Sequence, residues 1–167
     1  MLTQERLMVA ATLDDISLGD RFLSLPAHMT VYPWFDLPTA NWLQFDDGMR
    51  DIIEQTSPPV VMGGTRALYG SGETKGVRLL DRVTPTFNLI RGFDIHAGVF
   101  RLAHVLGITI DDTYTGLNWS PHVSDTPTRT LAPDEEVELT SLAVLAKDAD
   151  QGAKVVKAIY AWSNKND

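Results

Sequence analysis

From Arg6 to Leu13 the chain reads Arg-Leu-Met-Val-Ala-Ala-Thr-Leu, an apolar run of strand length that predicts a largely buried β-strand. Asp14 to Leu25 is polar with spaced apolar residues and predicts a turn and a short helix. Met29 to Trp34 predicts a second strand, broken at Pro33 because proline has no N–H to give to a ladder. Pro38-Thr39 then opens a helix with Thr39 in the N-cap position. Along it Trp42, Phe45, Met49, Ile52 and Ile53 recur at helical spacing, with Asp46, Asp47, Arg50 and Glu54 on the opposite face. Ser57-Pro58-Pro59 stops it.

Pro59 to Tyr69 and Gly76 to Val83 are strand-like and joined by the glycine-rich stretch Gly70 to Lys75, which predicts a hairpin. A second helix is expected from Thr86 to Leu106, closed by Gly107 as a C-cap. Asp111 to Asn118 reads as a loop, Trp119 to Asp125 as a strand, Thr126 to Pro133 as a further loop, and Val137 to Ala146 as a strand. Lys154 to Trp162 is a largely apolar run. Its β-branched and aromatic content (Val155, Val156, Ile159, Tyr160, Trp162) favours a strand over a helix.

Within this pattern one short motif returns. His28-Met29-Thr30 follows Pro26-Ala27, and His122-Val123-Ser124 follows Pro121, 94 positions later. In an extended strand residues i and i+2 point to the same face, roughly 6–7 Å apart. Each copy therefore presents an imidazole beside a hydroxyl, with Met29 or Val123 turned back into a core. Two such pairs facing one another supply a base, an acid and two hydroxyl donors around one phosphate.

Composition narrows the chemistry. With 167 residues the chain is long enough for one domain, or two small lobes sharing a core. Cysteine is absent, which removes disulfides, thiolate metal sites and cysteine nucleophiles. Fourteen Lys plus Arg against 22 Asp plus Glu leave a net charge of −8, so a long nucleic acid is repelled. A nucleotide-like substrate is then expected to be small or short, with long duplexes and membranes excluded as partners. The first residues lack the basic segment and apolar run of a signal peptide, and no stretch reaches the roughly 18–20 apolar residues of a membrane span. A cytoplasmic location is the expectation.

Other constellations carry less. No GxxxxGK[ST] loop is present, nor a GxGxxG after a strand, and Gly70 to Lys75 reads better as a turn than as a phosphate loop. His96 and His104 stand eight residues apart on the second helix and are expected on one face, as satisfied or exposed histidines rather than metal ligands. Asp46-Asp47 and Asp134-Glu135-Glu136 read as solvated or helix-end charges. No metal site and no cofactor is expected. Tyr32, Trp34 and Phe35 follow the first motif and Trp119 precedes the second, so these aromatics are the candidates for stacking a nucleobase. Tyr114, Arg66, Lys75 and Arg78 are further candidates at the edge of the site.

The tetrapeptides His28-Met29-Thr30-Val31 and His122-Val123-Ser124-Asp125 resemble the paired His-apolar-Thr/Ser-apolar motifs of the two-histidine (2H) phosphoesterase superfamily, which includes 2′-5′ RNA ligase-like proteins and cyclic nucleotide phosphodiesterases. Leu25-Pro26-Ala27 and the aromatic run after Val31 are similar to that family's first motif region, and chain length and motif separation are similar too. The second copy departs at Asp125 and has Ser124 for the commoner Thr. The resemblance implies an α+β fold of one domain, residues 1–167, in two pseudo-symmetric lobes. Two antiparallel sheets would flank a central groove, with helices outside and one motif from each lobe on its floor.

It also implies metal-independent phosphodiester hydrolysis by His28 and His122, with Thr30 and Ser124 binding the phosphate oxygens. The substrate would be a 2′,3′-cyclic phosphate, a 2′-5′-linked or a cyclic oligonucleotide. A non-catalytic nucleotide- or RNA-binding module of the same fold and a 2′-5′ RNA ligase are the alternatives. Neither the acid nor the base of the histidine pair is assigned by the residues alone.

Overall fold

A computed structural model describes residues 3–58, 60–68, 76–81, 87–108, 115, 122–124, 126, 129–148 and 152–162, with backbone alone for 61, 62, 64–68, 76–81 and 87–93. Among these, nine strands run β1 (Gln4–Thr12), β2 (Arg21–Phe22), β3 (His28–Pro38), β4 (Val60–Leu68), β5 (Gly76–Asp81), β6 (His122–Ser124), β7 (Glu136–Glu138), β8 (Ser141–Lys147) and β9 (Lys154–Ala161). Two α-helices, α1 (Trp42–Gln55) and α2 (Phe87–Val105), complete an α+β fold. The final apolar run is a strand, as its β-branched residues predict. Residues 13–20 hold no helix. Apart from β2, which pairs with the edge of β9, that stretch is irregular.

The strands form one antiparallel sheet in the order β2-β9-β8-β1-β3-β6-β5-β4-β7. Instead of two separate sheets there is a single one, because the two motif strands pair with each other, Met29 opposite Val123. Nor do the wings follow the halves of the sequence. The hairpin β4–β5 pairs with the second motif strand, and the C-terminal hairpin β8–β9 pairs with β1 beside the first.

One face of the sheet carries the main core. Leu7, Val9 and Ala11 of β1, Met29, Val31, Phe35 and Leu37 of β3, Leu142 and Val144 of β8 and Val123 of β6 are buried there. Phe45, Met49 and Ile52 of α1 and Ile95, Val99 and Ala103 of α2 close over them, which is the apolar stripe that the helical spacing predicts. The helices run antiparallel and meet at small residues, Gly48 against Leu102 and Gly98 against Ile52. A smaller cluster on the other face joins Met8, Ala10, Leu145 and Val156, with Ile16, Phe22, Leu25, Trp34 and Ile159 packed against it.

Side-chain bonds dock α1 onto β9. The Tyr160 hydroxyl donates to Asp46 Oδ1 at 2.6 Å, Trp162 Nε1 donates to Thr56 Oγ1 at 3.0 Å, and the Lys157 ammonium lies 4.5 Å above the Trp42 ring. Asp46 is thus a docking group rather than a purely solvated charge. Burial and the neighbouring carboxylate push the Tyr160 phenol above its ordinary pKa. Thr39 does not cap α1. It starts a 3-10 turn, Thr39–Asn41, and donates its hydroxyl to Thr3 O at 3.3 Å. At the far end of α2, Gly107 takes φ +72° while Ile108 N bonds Ala103 O and Gly107 N bonds His104 O, the Schellman closure expected from a glycine after the last turn.

Glu135 is likewise structural. Its carboxylate accepts from Ala132 N at 2.9 Å and Arg129 Nη2 at 2.6 Å, which holds its pKa below the usual carboxylate value. The turn it secures closes on Gly63 of β4, whose N–H donates to Glu135 O and whose carbonyl accepts from Asp134 N. A Cβ at Gly63 would meet the Ala132 carbonyl oxygen, a backbone atom that cannot step aside. Gly63→Ala is therefore expected to cost about 1–3 kcal/mol. Gly48→Ala, where the obstacle is the movable end of Leu102 and alanine favours the helix, should cost less. Denaturant midpoints of the two variants measure the difference, and equal losses would contradict it.

Candidate active site

Both motifs sit in regular pieces of strand. On β3, His28, Met29 and Thr30 pair in step with Thr12, Ala11 and Ala10 of β1. On β6, His122, Val123 and Ser124 pair in step with Leu79, Arg78 and Val77 of β5. Regular pleating then puts the outer two residues of each triplet on one face and the middle one on the other. Met29 and Val123, the middle residues, are 2% and 1% exposed in the main core, while His28, Thr30, His122 and Ser124 are all partly exposed.

Since Met29 and Val123 are direct antiparallel partners, continuing the register by one residue sets His28 opposite Ser124 and Thr30 opposite His122. Neighbouring strands lie about 4.8 Å apart. The four side chains thus rise from one patch of sheet, imidazoles and hydroxyls alternating around it. The two histidines are close enough that the charge of His122 opposes protonation of His28.

His28 is held by its own loop. Its Nδ1 lies 2.8 Å from Pro26 O. A carbonyl only accepts, so Nδ1 carries the hydrogen and neutral His28 has its lone pair at Nε2. Desolvation by burial lowers the pKa of this ring below 6.5; the Pro26 bond works in the opposite direction, and the charge of His122 adds to the lowering. His28 is accordingly neutral at physiological pH. Thr30 Oγ1 lies 4.0 Å from Met8 Sδ, at the border between the four-residue patch and the smaller apolar cluster.

Strand geometry sorts the aromatic candidates. Alternation from Thr30 places Tyr32 beside it on the site face, yet Tyr32 is 1% exposed in the main core. The cause is a bulge: from Thr30 to Tyr32 β3 takes two steps while β1 takes one, from Ala10 to Val9, and a second register shift follows before Phe35. Tyr32 is turned inward, its ring edge-on to Phe35 and stacked at 5.9 Å on His96, and burial pushes its phenol up to about 12. Phe35 packs against Phe45. Tyr32 and Phe35 are core residues, and neither offers a face to a substrate. Trp34 stays partly exposed on the site side, with the Met8 cluster. Trp119, Tyr114, Lys75 and Asp125 lie outside the described residues, and Arg66 and Arg78 are placed in β4 and β5 by backbone only.

Two residues near the site escape sequence reasoning. Thr12 is the cross-strand partner of His28 and adds a third hydroxyl to the same face, donating to Asp14 O at 2.8 Å. Nothing in the apolar run Arg6 to Leu13 singles it out, since only the register of β1 against β3 does so. His96 is the second. The expected common face for His96 and His104 does not hold, because eight residues of helix leave them about 80° apart, at 100° per residue. His96 is buried and bonded to Val31 O, and His104 is exposed. Among the described residues no group of three His, Asp or Glu side chains is placed to hold a metal ion, and no helix is long and apolar enough to cross a membrane.

No protein-family model matches the chain, and no curated protein is detectably similar to it in sequence. Solved structures are similar over nearly the whole length. LigT of E. coli, in its apo form, aligns with a TM-score of 0.61 at 12% identity, covering 96% of this chain and 99% of LigT. The protein TT0787 of Thermus thermophilus gives 0.59 at 12% identity, and a protein described as a phosphoesterase gives 0.57 at 12%, each with the same coverage. LigT has also been crystallised with phosphate, 3′-AMP and NADP+. At such low identity the likeness is one of architecture: the chain has the fold of LigT.

Proposed function

We propose that the chain is a metal-independent phosphodiesterase in which His28 and His122 act as base and acid on a small nucleotide diester. The observation that carries this reading is the Met29–Val123 pairing, which brings two imidazole–hydroxyl pairs from distant parts of the sequence onto one patch of sheet. A binding module needs hydroxyls and charge, but it has no use for two proton-transfer groups. The shared fold with LigT and a phosphoesterase supports a phosphoester substrate, and the 3′-AMP and NADP+ complexes of LigT support a nucleotide.

In the proposed reaction neutral His28 takes a proton through Nε2 from the attacking water as its oxygen bonds to phosphorus. Protonated His122 gives its proton to the leaving ribose oxygen as the P–O bond breaks. Thr30 and Ser124 donate hydrogen bonds to the non-bridging oxygens, where charge is concentrated in the transition state. Burial that keeps His28 unprotonated suits it to the base role. The preferred substrates are 2′,3′-cyclic phosphates, 2′-5′-linked dinucleotides or short cyclic oligonucleotides, with Trp34 as the stacking surface for a base. A net charge of −8 disfavours ligation of long RNA.

Incubation with a panel of these substrates in EDTA tests the reading directly. His28→Ala and His122→Ala should each lower kcat by about 10²–10⁴-fold. Turnover that survives both substitutions, or that EDTA abolishes, overturns the mechanism. Thr30→Val and Ser124→Ala should each lose about 10²-fold in kcat with the fold intact.

The pH profile discriminates the roles. If His28 is the base, kcat/KM is lost as pH falls through its folded-state pKa, so the acid limb must have its midpoint below 6.5. A limb centred above that value assigns the base elsewhere. The same depression links His28 to stability. Below pH 6.5 the unfolded chain binds a proton that the folded ring resists, so thermal stability should decline as pH falls from about 7 into that window. His28→Gln should flatten this decline.

A further inference from the structure

His96 is a titratable group that the proposed reaction does not use. It lies on α2 at 2% exposure, behind the sheet, on the face away from the four-residue patch. Its Nδ1 is 2.7 Å from the carbonyl of Val31, which makes this nitrogen the donor. Its ring stacks on Tyr32 at 5.9 Å with 28° between the planes. Val31 is the residue that the β1–β3 register skips between Thr30 and Tyr32. His96 therefore grips both members of the bulge, one through its carbonyl and one through its ring.

The bulge begins one residue beyond Thr30. If it relaxed, β3 would move by a residue against β1, and a one-residue slip carries every side chain of a strand to the opposite face. In that register Tyr32 rises beside the site, and Thr30 or Met29 changes sides. A carbonyl left over in an apolar core also requires a donor from somewhere, and α2 provides one. Loss of the donor costs the bulge its anchor and only slightly alters the volume of the core.

We propose that His96 is a positioning residue, whose bond to Val31 O holds the bulge of β3 and so keeps His28 and Thr30 on the face they share with His122 and Ser124. This rests on the phosphodiesterase reading for its catalytic consequence and on the fold alone for the tether. Burial lowers the pKa of His96, although the Val31 bond raises it, so the ring acts as a neutral donor at physiological pH.

Two substitutions separate positioning from packing. His96→Phe keeps a ring for Tyr32 and fills the space but has no donor. His96→Asn offers an amide N–H near the place of Nδ1 and leaves the core underfilled. His96→Phe should lower kcat by about 10²-fold with little change in KM, the size expected for misplaced catalytic groups. It should also speed amide hydrogen exchange over Met29 to Tyr32 by about tenfold, as loss of one hydrogen bond predicts. His96→Asn should stay within a few-fold of the parent protein in both measurements, even though its melting temperature falls further.

A purely structural role predicts the reverse order, with kcat following thermal stability, and that result overturns the proposal. Unchanged exchange in His96→Phe overturns it as well. If the parent protein cleaves none of the diester panel, the functional reading fails. The exchange data then decide by themselves whether His96 holds the strand.

Discussion

A single antiparallel contact, Met29 of β3 against Val123 of β6, governs the geometry of the site. It joins the two wings into one sheet and sets the register between strands 94 positions apart in the sequence. Two apolar side chains pressed into the helix-backed core maintain it. Because side chains alternate along a strand, burying the middle residue of each triplet turns its imidazole and hydroxyl outward. The chemistry of the patch is thus held by the hydrophobic effect acting on its reverse side.

Helices α1 and α2 are the backing for this arrangement. They close over Met29, Val31, Phe35 and Val123, and α1 is tied to β9 through Asp46–Tyr160 and Thr56–Trp162. The bulge in β3 lets one strand serve two demands. Before it, the strand alternates cleanly and displays His28 and Thr30. Within it, Val31 and Tyr32 both enter the core, and beyond it Trp34 returns to the site side. A regular strand would put a phenol next to Thr30.

Electrostatics complement the packing. In the proposed reaction an acidic protein would meet the charge of a phosphodiester locally, through hydroxyl donors and one protonated imidazole. In that reaction the other imidazole must stay neutral to accept a proton. Burial and the nearby His122 favour that state in His28, and the Pro26 carbonyl fixes which nitrogen carries the lone pair. In the proposed reaction acid and base are distinguished by their surroundings, since the side chains are of the same type.

Much of this was legible in the chain itself. Strands β1, β3, β4, β5, β8 and β9 and both helices follow from periodicity and breakers, because those signals act within a window of ten to twenty residues. The two His-x-Thr/Ser triplets were legible as well, each as an imidazole and a hydroxyl sharing a strand face. Pairing between distant strands was not, as it depends on which apolar faces can be buried together across the whole molecule. That is why one sheet stands where two were expected, why the hairpin β4–β5 joins the opposite motif, and why Tyr32 belongs to the core. Thr12 and His96 became part of the story only when the sheet register and the packing of α2 brought them beside β3. Residue type and local spacing determined what chemistry the chain carries, and collective burial decided where it is assembled.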